Sequence, residues 1–211
     1  MRVVLLGPPG AGKGTQAARL AEVMDVPHLA TGDILRGEVA AGSGLGVLAN
    51  QYMERGDLVP DDMMVRMLLG RLDGTRQGFI LDGFPRTLAQ AEALDQALQA
   101  AGTPVERMIY LDVATGELMR RLLGRYTCSQ CQAPYHIELS PPTVAGKCDR
   151  CSGEVVQRPD DRPDAVPKRL RVYDQQTVPV LDFYRRTGRV REIDGEGAPD
   201  EVHERLFAAA S

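Results

Sequence analysis

A glycine-rich segment follows directly after the apolar run Val3-Val4-Leu5-Leu6 and reads Gly7-Pro8-Pro9-Gly10-Ala11-Gly12-Lys13-Gly14-Thr15. An apolar strand that ends in such a turn and continues into a helix is typical of a phosphate-binding loop. The glycines let backbone N–H groups converge on phosphate oxygens, and the positive N-terminal end of the helix favours the same anion. Lys13 adds a charge that reaches the terminal phosphates, and Thr15 adds a hydroxyl one residue later than the usual pattern has it. The alternative is a glycine-rich turn without a ligand. The order of strand, loop, lysine and helix favours a nucleoside triphosphate site.

Length and charge limit the classes of protein that the chain can represent. Its 211 residues predict one main domain with a small insertion. A formal net charge of -4 disfavours nucleic acid or an anionic membrane as a partner. We find no apolar run long enough to cross a bilayer, and the N-terminus does not resemble a signal peptide. We therefore expect a cytoplasmic protein that binds neither nucleic acid nor membranes.

Strand-like and helix-like segments alternate along the chain. The apolar pattern predicts strands at 3–6, 26–29, 79–82, 107–113 and 190–193, and helices at 15–24, 33–40, 45–55, 63–72, 88–101, 115–123, 163–186 and from 199 onward. This alternation predicts an α/β fold in which helices cover both faces of a parallel sheet. Between residues 124 and 161 the pattern breaks, and we expect an insertion there.

Two matched cysteine pairs lie in that insertion, Cys128-Ser129-Gln130-Cys131 and Cys148-Asp149-Arg150-Cys151. Their spacing is that of a four-cysteine zinc site. The alternatives are two disulfides or four inert thiols, and disulfides are rare in the cytoplasm. Since four thiolates complete the shell of the ion, we expect a structural zinc that stabilises a small polar insertion. The nearby His136 is then interpreted as a residue that faces a ligand or the surface.

A second ligand segment is Asp82-Gly83-Phe84-Pro85-Arg86, which follows a predicted buried strand. An acid at the carboxyl end of a parallel strand faces the crevice in which such sheets bind ligands. Asp82 is therefore expected to orient a magnesium ion through bound water, with Arg86 projecting from the same loop. The alternative for Asp82 is a helix-capping acid.

Along essentially its whole length the chain resembles the adenylate kinase family. Residues 7–16 are similar to the family's variant of the phosphate-binding loop, in which Gly-Thr follows the lysine. Thr31-Gly32-Asp33-Ile34-Leu35-Arg36 and Gly56-Asp57-Leu58-Val59 resemble the segments that hold AMP, and residues 82–86 resemble the most diagnostic stretch. The resemblance implies a kinase core over 1–211, a helical insertion for the nucleoside monophosphate at 30–59 and a zinc-bearing lid at 124–161.

The resemblance also implies individual roles. The implied catalytic residues are Lys13, Asp82, Arg86, Arg125, Arg158 and Arg169. The implied ATP contacts are Gly10, Ala11, Gly12, Lys13, Gly14, Thr15, Arg125, Pro134, Tyr135 and Gly197. The implied AMP contacts are Thr31, Arg36, Asp57, Leu58, Val59, Gly83, Phe84, Pro85, Arg86, Gln90, Arg158 and Arg169, and the implied zinc ligands are Cys128, Cys131, Cys148 and Cys151. Two departures from the family are Gln157, where threonine is common, and Pro167, which can tilt the helix that presents Arg169.

The implied activity is the reversible, magnesium-dependent conversion of ATP and AMP to two ADP by a monomeric enzyme. Lysine and arginine charges are expected to stabilise the transferring phosphoryl group under a closing lid. One alternative is a kinase for another nucleoside monophosphate. It is disfavoured because Thr31 and Gln90 resemble the pair of residues with which the family recognises adenine. The other is a zinc ribbon that binds nucleic acid beside an NTPase, which the mixed charge of residues 124–161 disfavours.

Overall fold

Among residues 1–72 and 77–211, which a computed structural model describes, five parallel strands form the central sheet. The strands of the described part are β1 (Arg2–Leu6), β2 (His28–Ala30), β3 (Phe79–Asp82), β4 (Arg107–Asp112), β5 (Arg125–Cys128), β6 (Pro134–His136), β7 (Val155–Gln157) and β8 (Val190–Asp194). The central sheet has the order β2-β3-β1-β4-β8, so β1 lies in its middle. All its neighbouring strands pair in parallel, which confirms the predicted sheet.

Helices connect these strands and cover both faces. They are α1 (Lys13–Met24), α2 (Thr31–Ala40), α3 (Gly44–Met53), α4 (Asp61–Leu72), α5 (Leu88–Ala100), α6 (Thr115–Leu123), α7 (Val166–Val172), α8 (Val178–Arg185) and α9 (Pro199–Ala210). No helix in the described ranges combines the length and the apolar character that crossing a membrane requires.

Strand β1 shows why the apolar run is continuous. Val3 and Leu5 pack into a core with α1 and α9, whereas Val4 and Leu6 pack into a second core with α4, α5 and α8. Successive side chains of a strand point to opposite faces, so a sheet that is covered on both sides needs apolar residues at every position. The carboxyl end of β1 thereby places the glycine-rich loop at the edge of the sheet.

Residues 125–157 contain a second, smaller sheet with the antiparallel order β6-β5-β7. We call these strands and the turns between them the lid sheet. The sequence predicts only a break in the regular pattern here, because strands of three or four residues show too little periodicity. The core of the lid sheet consists of two cysteines, Ala133 and Tyr135, with Tyr126 and Val155 packed against it.

The helix predicted over 163–186 is interrupted in the structure. It begins at Val166, and a π-helical turn (Tyr173–Thr177) separates α7 from α8. The N–H of Val178 donates to the carbonyl of Tyr173, five residues back, and Pro179 follows in the first turn of α8. Proline has no N–H and clashes with the carbonyl four residues earlier, which explains the wider turn.

Pro167, by contrast, lies in the first turn of α7, where backbone N–H groups have no carbonyl partner within the helix, so the missing N–H of proline costs nothing. The structure therefore gives no sign of the tilt that the sequence suggests for this residue. Other boundaries differ by one to a few residues: β2 lies at His28–Ala30 rather than at 26–29, and α2 begins at Thr31 rather than at 33.

Candidate functional site

The glycine-rich loop joins β1 to α1 in a conformation that depends on its glycines. Gly10 and Gly12 have φ angles of 87° and 90°, in the left-handed region that favours glycine. A Cβ at Gly10 would also come within 2.9 Å of Leu122, so α6 packs closely against the loop. α1 begins at Lys13 with no acidic side chain in its first turn, which leaves its N-terminal N–H groups open to an anion.

Lys13 extends back over this loop. Its ammonium group donates to the carbonyl oxygens of Gly7, at 2.7 Å, and Pro8, at 2.9 Å. Burial lowers the pKa of Lys13 to about 7; the negative charge of Asp82 opposes this shift, and the positive charges of Arg86 and Arg169 add to it. An anion bound at the loop would favour the charged form of this lysine.

Asp82 lies at the carboxyl end of β3, beside the loop. A Cβ at Gly14 would be 3.2 Å from Asp82 Oδ2, so a glycine at this position lets the carboxylate approach α1. His28 Nε2 is 3.8 Å from the same oxygen, and this buried nitrogen has no hydrogen-bond partner among the described residues. Burial alone would raise the pKa of Asp82, but His28 and Lys13 hold it below its usual value. Asp82 is thus ionised at neutral pH.

The segment after β3 folds back on itself through a network of hydrogen bonds. The Thr31 hydroxyl donates to the Gly83 carbonyl at 2.9 Å, and Arg86 Nε donates to the same oxygen at 2.7 Å. Gln90, which is buried, accepts from the Arg86 N–H at 2.8 Å and donates to Asp61 Oδ1 at 2.7 Å. Phe84 belongs to the core, and the Phe84–Pro85 peptide bond is cis.

Three arginines and two aspartates meet between the lid sheet and α7. Arg125 donates through two nitrogens to Asp161, at 2.6 and 2.7 Å, and Arg169 donates to Asp161 at 2.6 Å and contacts Asp160 at 2.8 Å. Asp161 is fully buried. Arg158 donates instead to the Thr127 hydroxyl at 2.8 Å.

The positive charges of this cluster are not fully compensated. Burial, together with the neighbouring positive charges of Arg36 and Arg125, lowers the pKa of Arg158 to about 9. Burial and Arg169 likewise lower the pKa of Arg86 to about 10. Guanidinium groups that are held together against their mutual repulsion favour an anion such as phosphate.

A cleft of about 1020 Å³, counting the solvent at its mouth, runs from the glycine-rich loop to Gln90. The predicted site residues that line it are Lys13, Arg36, Asp57, Leu58, Val59, Gly83, Pro85, Arg86, Gln90 and Arg169. Within the described part of the chain, the lining of this cleft does not include four other predicted site residues, namely Thr31, Phe84, Arg125 and Arg158. Thr31 is buried behind the cleft at Gly83, and Phe84 is buried in the core.

The remaining residues of the ATP set lie in the β8–α9 connection and on β6 of the lid sheet. Arg121 donates to the carbonyl of Gly195 at 3.1 Å and to that of Ala11 at 3.5 Å, which holds the β8–α9 connection beside the glycine-rich loop. Gly197, in this connection, has a φ of 104°. Pro134 is exposed on β6, whereas the side chain of Tyr135 turns into the lid sheet.

The four cysteines lie together, as the spacing predicts. Their sulfur atoms are all within 4.8 Å of one another, with 3.4 Å between Cys128 and Cys151 and 3.5 Å between Cys131 and Cys148. These distances are too long for a disulfide, in which the sulfurs are about 2.05 Å apart. Tetrahedral zinc with bonds of about 2.3 Å would separate its sulfur ligands by about 3.8 Å. The donor set therefore fits a tetrahedral thiophilic ion.

His136 does not occupy the expected position. It is 9% exposed, and its Nδ1 accepts from the N–H groups of Glu138 and Leu139, both at 3.1 Å. A Cβ at Gly124 would come within 2.4 Å of the imidazole ring. The interpretation of His136 as a residue facing a ligand or the surface is thus wrong: it packs on the glycine where the lid sheet begins.

Sequence reasoning missed several residues of the cleft and its rim. Tyr173 and Thr177 line the cleft, and the Thr177 hydroxyl donates to the Arg86 carbonyl at 2.9 Å. Their place depends on the π-helical turn, for which a single sequence has no clear signal. Asp160 and Asp161 are not among the predicted site residues, although two acids shortly after Arg158 are a signal for ion pairs with arginine.

A phosphate-binding loop between the first strand and the first helix of a doubly covered parallel sheet defines the class of P-loop nucleotide-binding proteins. Within that class, the family model described as "ADK: Adenylate kinase" matches residues 5–189. A protein named "Adenylate kinase" from Thermodesulfovibrio yellowstonii is 49% identical over 99% of this chain and 98% of its own length. Proteins of the same name from Methanocella arvoryzae (49%, 99% and 98%) and Acidothermus cellulolyticus (50%, 99% and 97%) are similar to the same extent.

The chain therefore belongs to the adenylate kinase family. It is an ATP:AMP phosphotransferase, with ATP and AMP as substrates and ADP as product.

Proposed function

We propose that the chain transfers the terminal phosphoryl group of ATP to AMP reversibly and with Mg²⁺, between an ATP site at the glycine-rich loop and an AMP site in the cleft. The observation that carries this proposal is that one cleft is lined by Lys13, Arg86 and Gln90. Residues for a terminal phosphate, for a second phosphate and for a base thus follow one another along a single channel. Phosphoryl transfer needs this arrangement because it depends on positioning and positive charge rather than on covalent chemistry.

At the AMP end, Arg36 and Arg86 hold the phosphate and Gln90 reads the adenine. A primary amide has two acceptor positions and two donor hydrogens, and the structure uses one of each for Arg86 and Asp61. One acceptor and one donor therefore remain for the edge of a base. Asp57, Leu58, Val59 and the 83–86 segment form the walls around it.

At the transfer point, Lys13, Arg125, Arg158 and Arg169 surround the phosphoryl group. Arg125 and Arg169 are held by Asp161 in the structure, so their guanidinium groups are oriented before any phosphate arrives. Preorganised charge stabilises a developing charge without the cost of reorientation. Residues 124–161 form the lid that brings Arg125 and Arg158 over ATP and excludes water, and residues 30–59 close on AMP.

The ionised carboxylate of Asp82, beside Gly14 and Lys13, fits a magnesium site at the triphosphate. Mg²⁺ bound there would neutralise part of the phosphate charge. Asp82 would help to hold the ion through bound water.

Zn²⁺ at Cys128, Cys131, Cys148 and Cys151 is proposed as a structural ion of the lid. Four protein thiolates leave no open position for a water or a substrate, so the ion stabilises folding and takes no part in the reaction. A cytoplasmic location and a monomeric state stay predictions, and gel filtration of the purified enzyme tests the second.

A coupled assay of ADP formation tests the proposal. ATP is supplied with AMP, GMP, CMP or UMP in turn, first with Mg²⁺ and then with EDTA in excess. We expect rapid ADP formation with AMP and Mg²⁺, and its loss in EDTA. Turnover of UMP or CMP without turnover of AMP would refute the assignment of Gln90 and favour a kinase for another nucleotide.

A further inference from the structure

Tyr135 lies on β6 with its side chain inside the lid sheet and is 8% exposed. Its hydroxyl oxygen lies 3.3 Å from Cys148 Sγ and 2.7 Å from the backbone nitrogen of Asp149. The ring therefore crosses the interior of the lid sheet, and its polar end reaches one of the four clustered sulfurs.

The direction of the hydroxyl hydrogen follows from its two partners. A backbone N–H only donates, so the Tyr135 oxygen must accept the bond from Asp149. Its single hydrogen is then available for the other partner, which is Cys148 Sγ. A thiolate has no hydrogen of its own, so with a metal bound the tyrosine is the donor in this contact.

The sulfurs of the cluster need such donors. Four thiolates around a divalent ion carry a net charge of about -2, and at the buried Cys128 and Cys148 little water is available to stabilise it. Backbone N–H groups supply two long contacts, from Arg150 to Cys148 Sγ at 3.4 Å and from Cys131 to Cys128 Sγ at 3.5 Å. Among the described residues outside the cysteine set, Tyr135 is the side chain whose polar group contacts a sulfur.

We propose that Tyr135 is a positioning residue of the metal centre: its hydroxyl fixes the Cys148 side chain and stabilises the negative charge of the bound thiolate. This inference rests on the zinc site of the proposed function. The family resemblance implies only an ATP contact for Tyr135, whereas its hydroxyl is used within the lid sheet. A contact of Tyr135 with ATP would then come from its backbone.

The matched control is Tyr126, which lies directly opposite Tyr135 in the β5–β6 pair. It packs against the same small core, and no hydrogen bond of its hydroxyl is found within the described ranges. Tyr126→Phe and Tyr135→Phe therefore make the same chemical change on neighbouring strands, and both keep the ring. Only the second removes a donor to sulfur.

Zinc affinity is measured for the wild type and both variants by competition with a chromophoric chelator, using Zn²⁺ alone. Loss of a hydrogen-bond partner of a metal ligand typically weakens affinity by about ten- to a hundred-fold, and we expect this for Tyr135→Phe but not for Tyr126→Phe. The Co²⁺-loaded proteins give a second readout, because the thiolate-to-metal absorption band should shift in Tyr135→Phe alone. Melting of the metal-free proteins controls for packing, and there we expect the two variants to differ little.

The possible results separate the two hypotheses. If the wild type binds Zn²⁺ and both variants bind it equally well, the role of Tyr135 is refuted while the zinc site stands. Equal losses in both variants would also refute it, because they would indicate a general effect on the lid sheet. If the wild type binds no Zn²⁺, the zinc site itself is refuted, and this inference with it.

Discussion

Strand β1 of the central sheet and strand β5 of the lid sheet are both short, but different contacts bury them. β1 places Val3–Leu6 in two apolar cores, each covered by several helices. Around β5 the buried cluster consists of Cys128, Cys148, Ala133 and Tyr135, while Ile137, Leu139 and Val144 of the same region are 57%, 57% and 56% exposed. A sheet this small buries little apolar surface, and the metal ion that we propose at its four cysteines would replace the missing core.

Because of this difference, we expect the central sheet to position the reacting groups and the lid sheet to depend on the proposed ion for its stability. The central sheet fixes the positions of Lys13, Asp82 and Arg86 through strands that pack against several helices on both faces. If the proposed zinc is bound, the lid sheet should depend on it, and its removal should leave the central sheet folded. Substitutions in the first region should therefore act on the reaction, and changes in the second should act mainly on stability.

The largest expected effect belongs to Lys13→Met. The ammonium group lies at the end of the glycine-rich loop, where charge builds up on the transferring phosphoryl group, so we expect kcat to fall by about a hundred-fold or more. Steady-state kinetics measures this, and circular dichroism checks that the fold is retained. A variant that keeps more than about a tenth of the wild-type kcat would contradict the role given to Lys13.

Arg86→Ala separates the two substrate sites within the central region. Removal of a buried charge from its partner costs about 2–5 kcal/mol, which corresponds to at least about thirty-fold in affinity for AMP. ATP affinity should change far less, and titration with each nucleotide measures the difference. Arg66→Ala is the control, since Arg66 is exposed and paired with Asp62. A selective loss of ATP affinity would reverse the assignment.

Removal of the ion tests the lid region directly. We expect one Zn²⁺ per chain by elemental analysis, and we expect chelation or Cys148→Ser to lower the melting temperature while part of the activity survives at low temperature. The central site should remain formed, and Arg125 should stay linked through Asp161 to Arg169 of α7.

Leu5→Ala provides the contrast for this experiment. Leu5 is fully buried in the central sheet, so the variant should lose about 2–5 kcal/mol of stability whether or not the ion is present. If chelation abolishes activity at once without any change in melting, the ion is not structural and the two regions do not differ as described.

The smallest expected effect is a pH-dependent uptake of protons when ATP binds. The pKa of Lys13 is lowered to about 7 in the free enzyme, mainly by burial, and a bound triphosphate should raise it. At pH 8 most of the free enzyme therefore lacks this proton, and ATP binding should take up nearly one; at pH 6 the lysine is already charged and uptake should nearly vanish. Calorimetry in buffers of different ionisation enthalpy measures the uptake. Lys13→Met serves as the blank, and an equal uptake at pH 8 in that variant would exclude Lys13 as the source.

The sequence predicts the central region better than the lid for the same physical reason. β3 (Phe79–Asp82) and α6 (Thr115–Leu123) have the predicted boundaries, because an apolar run that ends in an acid and an amphipathic repeat are strong local signals. The lid strands have three or four residues and no repeat, and only the cysteine spacing predicts their centre. The burial of His136 depends on packing against Gly124, which no local pattern shows.

The candidate site shows the same limit. The glycine-rich loop and the cysteine cluster follow from spacing alone, whereas the individual arginine and AMP contacts come from the family resemblance. The pairing of Arg125 and Arg169 through Asp161 joins residues far apart in the chain, so it needs the tertiary structure.

The π-helical turn at Tyr173–Thr177 changes the angle at which α7 and α8 present their side chains relative to each other. α7 must direct Arg169 toward the cleft, while α8 must direct Tyr184 into the core. One residue of an α-helix corresponds to a rotation of about 100°, so the wider turn changes the angular offset between these two side chains. Deletion of Gln175, which is exposed within the turn, would favour a continuous α-helix and rotate Arg169 away from the phosphoryl group while Tyr184 stays in place. Unchanged activity in that deletion variant would show that the offset has no such use. If activity falls instead, the wider turn serves the reaction because it sets the angle at which α7 presents Arg169 to the cleft.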